Sequence, residues 1–216
     1  MTRYLAFTSA AVLVLSHLPA PALAQDAAPA PDPSNTRLFF GPTARALPAG
    51  KAYLGGYQAV VPFAQAGLTD RLSLGAGVPL PFGVGLFWLT PKLQVLDTGR
   101  TQAAIGAVHL VAGDLMRGGV AYGVVTTGGP DTSVTAGLGL AYGDGGRPIA
   151  MIGGERRTSR HSKFLTENYL IPGAGGFSIN GIRLSGRRLS ADFAVGLSFA
   201  GGVFAPFPLL NVAYLF

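Results

Sequence analysis

The chain of 216 residues contains no cysteine. That excludes a disulfide framework, thiol chemistry and lipid attachment at a processed N-terminal cysteine. Charge is scarce: Asp, Glu, Lys and Arg make up 12% of the chain, about half of the ~25% usual in soluble domains. There are three histidines and one tryptophan. Beyond the N-terminus no apolar run approaches the ~20 residues of a spanning helix. Yet 49% of the residues are hydrophobic. Apolar residues spread over alternate positions, where hydropathy windows miss them, are the mark of a transmembrane barrel wall.

What is present begins with an export signal. Arg3 is followed by an apolar stretch from Tyr4 to Leu18 that Pro19 and Pro21 end. Ala22-Leu23-Ala24 is a small-x-small cleavage pattern, so residues 1–24 are expected to be a signal peptide cut after Ala24. A membrane anchor is the competing reading, but the run is too short. Residues 25–50 form a separate leader. Its first part, through Thr36, is rich in Ala, Pro and polar residues. Residues 37–50 are open to three readings: a short periplasmic strand, a plug entering a barrel, or a lead-in to the first strand.

From Lys51 onward the chain reads as strands of about ten residues, rich in Val, Ile, Tyr, Phe, Leu and Thr. About twelve are expected, at 51–61, 63–69, 71–79, 86–96, 101–112, 118–127, 132–142, 148–157, 163–171, 177–185, 188–199 and 207–216. Turn signals such as Asp97-Thr98-Gly99-Arg100 and Gly129-Pro130-Asp131 separate them. In 188–199, Leu189, Ala191, Phe193, Val195, Leu197 and Phe199 share one face, opposite Ser190, Asp192, Ala194, Gly196 and Ser198. The fold class is therefore all-β: a closed antiparallel transmembrane β-barrel spanning residues 51–216. A soluble exported β-sandwich also alternates, with its apolar face inward.

The last strand separates the two. It ends Tyr214-Leu215-Phe216, with aromatic residues at the last and third-from-last positions. This resembles the C-terminal signal by which outer-membrane barrels are recognised for assembly. The expected partners are outer-membrane lipids, the barrel-assembly machinery acting on the C-terminal strand, and a small solute. With both termini periplasmic, the turns at 69–71, 97–100, 128–131, 158–162 and 186–187 share the periplasmic side and carry much of the charge. The opposite loops are short and rich in Gly and Pro, which leaves little surface for a large receptor.

Charge facing lipid near the midplane costs ~2–4 kcal/mol, so charges within strands belong in the lumen. Lys92, Glu167 and Asp192 are expected there, with Gln94 beside Lys92. They are candidate binding residues, weighed against a salt-bridged interior that merely fills a narrow barrel. If Glu167 points inward, alternation turns Asn168 outward, which a bulge or an interfacial position would relieve. Pro91 inside a strand also suggests a bulge. Arg156, Arg157, Arg160, His161 and Lys163 form the densest basic run, and read as a solvated turn rather than an anion site. Trp88 and the tyrosines suggest interface belts. The scattered arginines do not make a nucleic-acid surface. No catalytic triad, metal spacing or cofactor motif is present.

Asn35-Thr36-Arg37-Leu38-Phe39-Phe40-Gly41-Pro42-Thr43, Gly67-Leu68-Thr69-Asp70-Arg71-Leu72-Ser73-Leu74-Gly75, Trp88-Leu89-Thr90-Pro91-Lys92 and Thr166-Glu167-Asn168-Tyr169 resemble segments of uncharacterised bacterial outer-membrane proteins. The resemblance runs through most of the mature chain in the same order. It implies an outer-membrane barrel and brings no activity with it. The expected function is structural, or a narrow small-solute channel. The alternative is a lipid- or envelope-modifying barrel enzyme, motivated by His109 and His161.

Overall fold

The computed structural model describes residues 29–58, 60–79, 85–113, 116–143, 146–200 and 203–216. The expected signal peptide, residues 1–24, lies outside them. Twelve strands follow one another along the chain: β1 (Ala52–Tyr57), β2 (Val61–Gly67), β3 (Leu72–Gly77), β4 (Leu86–Asp97), β5 (Thr101–Ala112), β6 (Met116–Gly128), β7 (Thr132–Tyr142), β8 (Pro148–Arg157), β9 (Ser162–Ile171), β10 (Gly175–Ser185), β11 (Leu189–Ala200) and β12 (Val203–Leu215). Each pairs antiparallel with its sequence neighbours, and β1 pairs with β12 to close the barrel. A single closed sheet replaces the two packed sheets of a sandwich, and closure leaves no unpaired edge.

The strands at 101–112, 132–142 and 148–157 match the sequence reading to the residue. The β1–β2 turn does not: it falls at 58–60, where no Gly or Pro announces it. Gln58 reverses the chain with a φ of 53°, a left-handed conformation costly for a residue with a Cβ. Its hydrogen bonds offset that cost. The Gln58 N–H donates to Leu210 O at 2.7 Å and its Nε2 to Pro208 O at 2.5 Å, while its Oε1 accepts from the Leu210 N–H at 3.0 Å. One side chain thereby extends the β1–β12 ladder past the end of β1.

The bulge expected at Pro91 is absent, and so is the bulge offered as one of two readings for Asn168. The β4–β5 register is the same at Leu89↔His109 and Lys92↔Gly106, so Pro91 causes no slip; the shift comes at Val95, between Gln94 and Leu96. Asn168 faces outward in an unbroken register with both neighbouring strands. Hydrogen bonding along the wall satisfies it: its Nδ2 donates to Ile152 O at 3.2 Å and Thr166 Oγ1 at 3.1 Å, and its Oδ1 accepts from Ser178 Oγ at 2.7 Å.

The outer face is apolar. Leu54, Leu138, Leu140, Phe193 and Val195 are each more than half exposed on it. Leu210, Val212, Tyr214 and Phe216 share that face at the C-terminal strand, and the rings of Tyr214 and Phe216 meet edge to face at 5.0 Å. The inner wall has two parts. Near the end that holds β1's start and the C-terminus it is polar and buried, with Ser73, Lys92, Gln102, Thr126, Thr135, Glu155, Lys163, Arg183 and Asp192. Toward the other end it is aliphatic and aromatic. Trp88 and Tyr57 belong to that inner surface, not to an outer belt: a Cβ built on Gly77, across the ladder from Trp88, would fall 2.0 Å from the indole.

Candidate functional site

The buried charges of the inner wall converge on residues 30–47, which enter the lumen from the end where the barrel strands begin. Ala30 N–H donates to Arg160 O in the β8–β9 turn at 3.0 Å. Residues 36–43 then fold as a small hairpin. Arg37 bridges Pro42, the Thr43 N–H donates to Thr36 O at 3.0 Å, and the Leu38 N–H donates to Gly41 O at 2.8 Å across the tip. Leu38 and Phe39 are wholly buried and pack against Leu165, Ile179 and Leu209 of the wall. Full burial of two such side chains is worth about 1.5–3 kcal/mol each.

A turn exposes successive backbone N–H groups on one side, and such a nest attracts an anion. Glu167 supplies it. Its carboxylate accepts from the N–H groups of Phe39 at 2.6 Å, Phe40 at 3.0 Å and Gly41 at 2.9 Å. Gly41 is required by close approach, since a Cβ there would lie 2.5 Å from both Met151 Sδ and Tyr169 Oη. Gly153 opens the wall in the same way: a Cβ on it would lie 2.5 Å from Leu38 Cδ1.

Lys92 supplies the opposite charge to the hairpin's carbonyls. Its Nζ donates to Thr36 O at 3.0 Å, Thr43 O at 3.1 Å and Arg45 O at 2.8 Å, which saturates the ammonium. Gln94 Nε2 donates to Ala44 O at 3.1 Å. Asp192 accepts from Arg183 Nε at 2.6 Å and from Asn211 Nδ2 at 3.4 Å, and pairs with Arg37 at 3.6 Å. The four lumen candidates thus share one object. Lys92, Gln94 and Glu167 bind the leader's backbone directly, and Asp192 holds the side chains that grip it.

Arg183 was not singled out in the sequence and is the hub of the site. It is wholly buried and binds Asp192, Asp32 and the carbonyls of Ser34, Arg37 and Leu38. The signal was its place inside the expected strand 177–185, since charge within a strand belongs in the lumen. Its match to Asp192 comes from the β10–β11 register, which sets the two directly opposite each other.

Lys163 corrects the solvated-turn reading of the basic run. It is fully buried, between Glu155 at 2.9 Å and Asp32 at 2.9 Å. Arg45 of the leader pairs with the same Glu155. The turn reading does hold for part of that run: Arg160 and His161 are exposed in the β8–β9 turn, whereas Arg157 at the end of β8 pairs with Asp131 at 2.5 Å and donates to Ala30 O of the leader at 3.2 Å. The two histidines do not meet. His109 lies on the outer face with its Nδ1 2.9 Å from Tyr142 Oη, while His161 sits in the β8–β9 turn. Among the described residues no group of three or more metal-ligating side chains comes together.

Asp32 makes the docking pH-dependent. Burial pushes its carboxyl up, but Arg183 and Lys163 outweigh burial and hold it well below the usual carboxylate range. A carboxyl whose pKa is lowered on docking contributes fully above its free value of ~3.9, and that contribution is lost as pH falls below it. Pepsin cleavage within residues 29–50 is therefore expected to rise as pH drops from about 5 to about 2. Asp32→Asn is expected to flatten that acid dependence and to leave the leader more readily cleaved at the upper end of the range.

Between the hairpin and the β1–β4 wall a void of about 60 Å³ remains, lined in part by Arg37, Tyr57, Gln65 and Thr90. The Arg37 guanidinium lies over the Tyr57 and Phe63 rings, 5.4 and 5.0 Å from their centroids. The void has room for about two waters, at ~30 Å³ each.

No family model and no curated protein matches the chain. Solved structures do. A KdgM porin in complex with disordered oligogalacturonate superposes with a TM-score of 0.59 at 7% identity, over 76% of this chain and 96% of that one. A second KdgM porin structure gives 0.57 at 9% identity, over 76% and 96%. A NanC porin gives 0.54 at 5% identity, over 76% and 98%. At such identities the likeness is one of architecture: this chain shares the closed antiparallel barrel of these porins.

Proposed function

We propose that the chain is an outer-membrane β-barrel that acts as a narrow small-solute channel stoppered by residues 29–50 of its own leader. The observation that carries this is the convergence of Lys92, Glu167, Asp192, Arg183 and Lys163 on residues 32–45. These groups would otherwise line an open polar lumen. Here the leader takes their hydrogen bonds, so solute can pass only when the hairpin shifts. Export by a signal peptide cleaved after Ala24, and assembly through β12 and the Phe216 that follows it, complete the proposal. The apolar outer face supports a lipid surrounding, because apolar side chains more than half exposed on every side would be unfavourable in water.

Planar-bilayer recordings of the purified protein test it. The intact chain is expected to be closed for most of the record, and Glu167→Gln to conduct in frequent short openings. If neither protein conducts, the channel reading fails and a purely structural barrel is left. Recovery with outer membranes after a carbonate wash checks the location.

A further inference from the structure

Above the hairpin tip, on the side away from the start of β1 and the C-terminus, the lumen holds a second and larger cavity of about 430 Å³. Its floor is Phe40-Gly41-Pro42 of the leader. Its wall includes Val108, Leu110, Val120, Ile149 and Ile171 from strands β5 to β9. Across β7 the lining is Gly137, Leu138 and Gly139, and the two glycines contribute space instead of side chains. No charged side chain among the described residues lines it, and the side chains in its lining that carry a polar group are Tyr57, Trp88, Thr90, Tyr122 and Tyr169.

That lining decides the chemistry. An anionic or heavily hydroxylated solute needs charged or multiple hydrogen-bonding partners, or its own polar groups are left unpaired. Every cationic group of the inner wall named above lies below the hairpin tip and is spent on the leader. A cavity of this size is in the range of small-molecule sites, and apolar cavities are filled by apolar ligands more readily than by water. At ~30 Å³ per carbon-sized group it takes roughly a dozen such groups.

We propose that this cavity is a binding site for an uncharged hydrocarbon group of about that size, seated on the tip of the leader hairpin. The site rests on the barrel reading above but not on conduction. The hydrocarbon has two possible sources, a free apolar solute or the tail of a membrane lipid, with the same contact chemistry.

Trp88, the only tryptophan in the chain, lines the cavity and reports its occupancy. The test uses the full mature protein in nanodiscs, with a twelve-carbon carboxylic acid brominated at its tail as one probe and a tail-brominated phospholipid as the other. Saturable quenching of Trp88 by either is expected. It should weaken at least tenfold in Val120→Phe/Ile149→Phe, which fills the cavity, and persist in Val195→Phe on the outer face. Quenching by the acid identifies a free solute, and quenching by the phospholipid alone a lipid tail. Quenching that never saturates, or that is equal in the filled variant, overturns the site, as does displacement of either probe by a uronic acid trimer. Each variant is first checked for the unheated-gel shift of a folded barrel; should the double variant not fold, Val120→Asn replaces it with the same expected loss. A silent bilayer with saturable quenching removes the channel and keeps the site, while the converse removes the site and keeps the channel.

Discussion

Arg183→Met is expected to release residues 30–47 from the lumen while leaving the twelve-strand ladder closed, with a loss of about 3–5 kcal/mol. The side chain it removes is wholly buried and joins two carboxylates, Asp32 and Asp192, to three leader carbonyls. Methionine fills much of the volume but none of the charge. Two carboxylates then remain in the lumen with fewer cations to balance them, and the cost of an uncompensated buried charge exceeds the worth of the bonds removed. The leader can escape that cost by leaving, because it takes Asp32 with it and admits water to Asp192. The β9–β10 and β10–β11 ladders are backbone pairings and do not depend on the substitution. Limited proteolysis should cut within residues 29–50 while the barrel core survives. Adding Asp32→Asn and Asp192→Asn should recover part of the loss, as expected when the penalty lies in unpaired charge. An unchanged cleavage rate in the single variant would refute the hub role of Arg183.

Glu167→Gln should cost about 2–4 kcal/mol, in a more local manner. The carboxylate accepts three backbone N–H groups from the hairpin tip. Bonds to an ionised acceptor are worth about 1.5–3 kcal/mol each, though bonds to one acceptor do not add fully. The glutamine amide offers one acceptor oxygen, and its NH₂ group confronts donors. At least one N–H of Phe39, Phe40 or Gly41 is then left unpaired in a buried place. The base of the leader stays held by Arg183, Lys163 and Lys92, so the tip should loosen without release. Hydrogen exchange is the discriminating measurement: faster exchange at residues 38–41 with little change at 34–36 is expected. Uniformly faster exchange along the leader would show that the hairpin is held as one unit and not in two places.

Much of the wall was legible because a strand announces itself twice, by alternation and by its turns. Where the turn residues were explicit, as at 98–100 and 129–131, the boundaries fell within a residue or two. Where the turn used Gln58, whose conformation depends on hydrogen bonds to β12, no local signal existed. The lumen candidates were legible for a different reason. Charge inside an apolar strand has one inexpensive place to go, and Lys92, Glu167 and Asp192 all face the lumen. Lys163 was misread because a charge run beside a turn is usually solvated, and nothing local marks the residue at which the strand turns it inward. Trp88 was assigned to a belt on residue type alone, whereas its position in the β4 alternation, two residues from Thr90 and four from Lys92, places it inside.

By itself the sequence determined the all-β class, a count of about twelve strands and the inward direction of the main charges. Those follow from period-two patterning and from the cost of charge on an apolar face, both local properties. Only the tertiary structure decided what the charges are for. Arg183 meets Asp192 across a ladder, and Glu167 meets a turn 126 to 128 residues earlier in the chain. Partners so distant in sequence are chosen by strand register and barrel closure. The same is true of the division between a polar half occupied by the leader and an apolar half left open above it, since depth in the lumen is set by strand stagger and the reach of the hairpin.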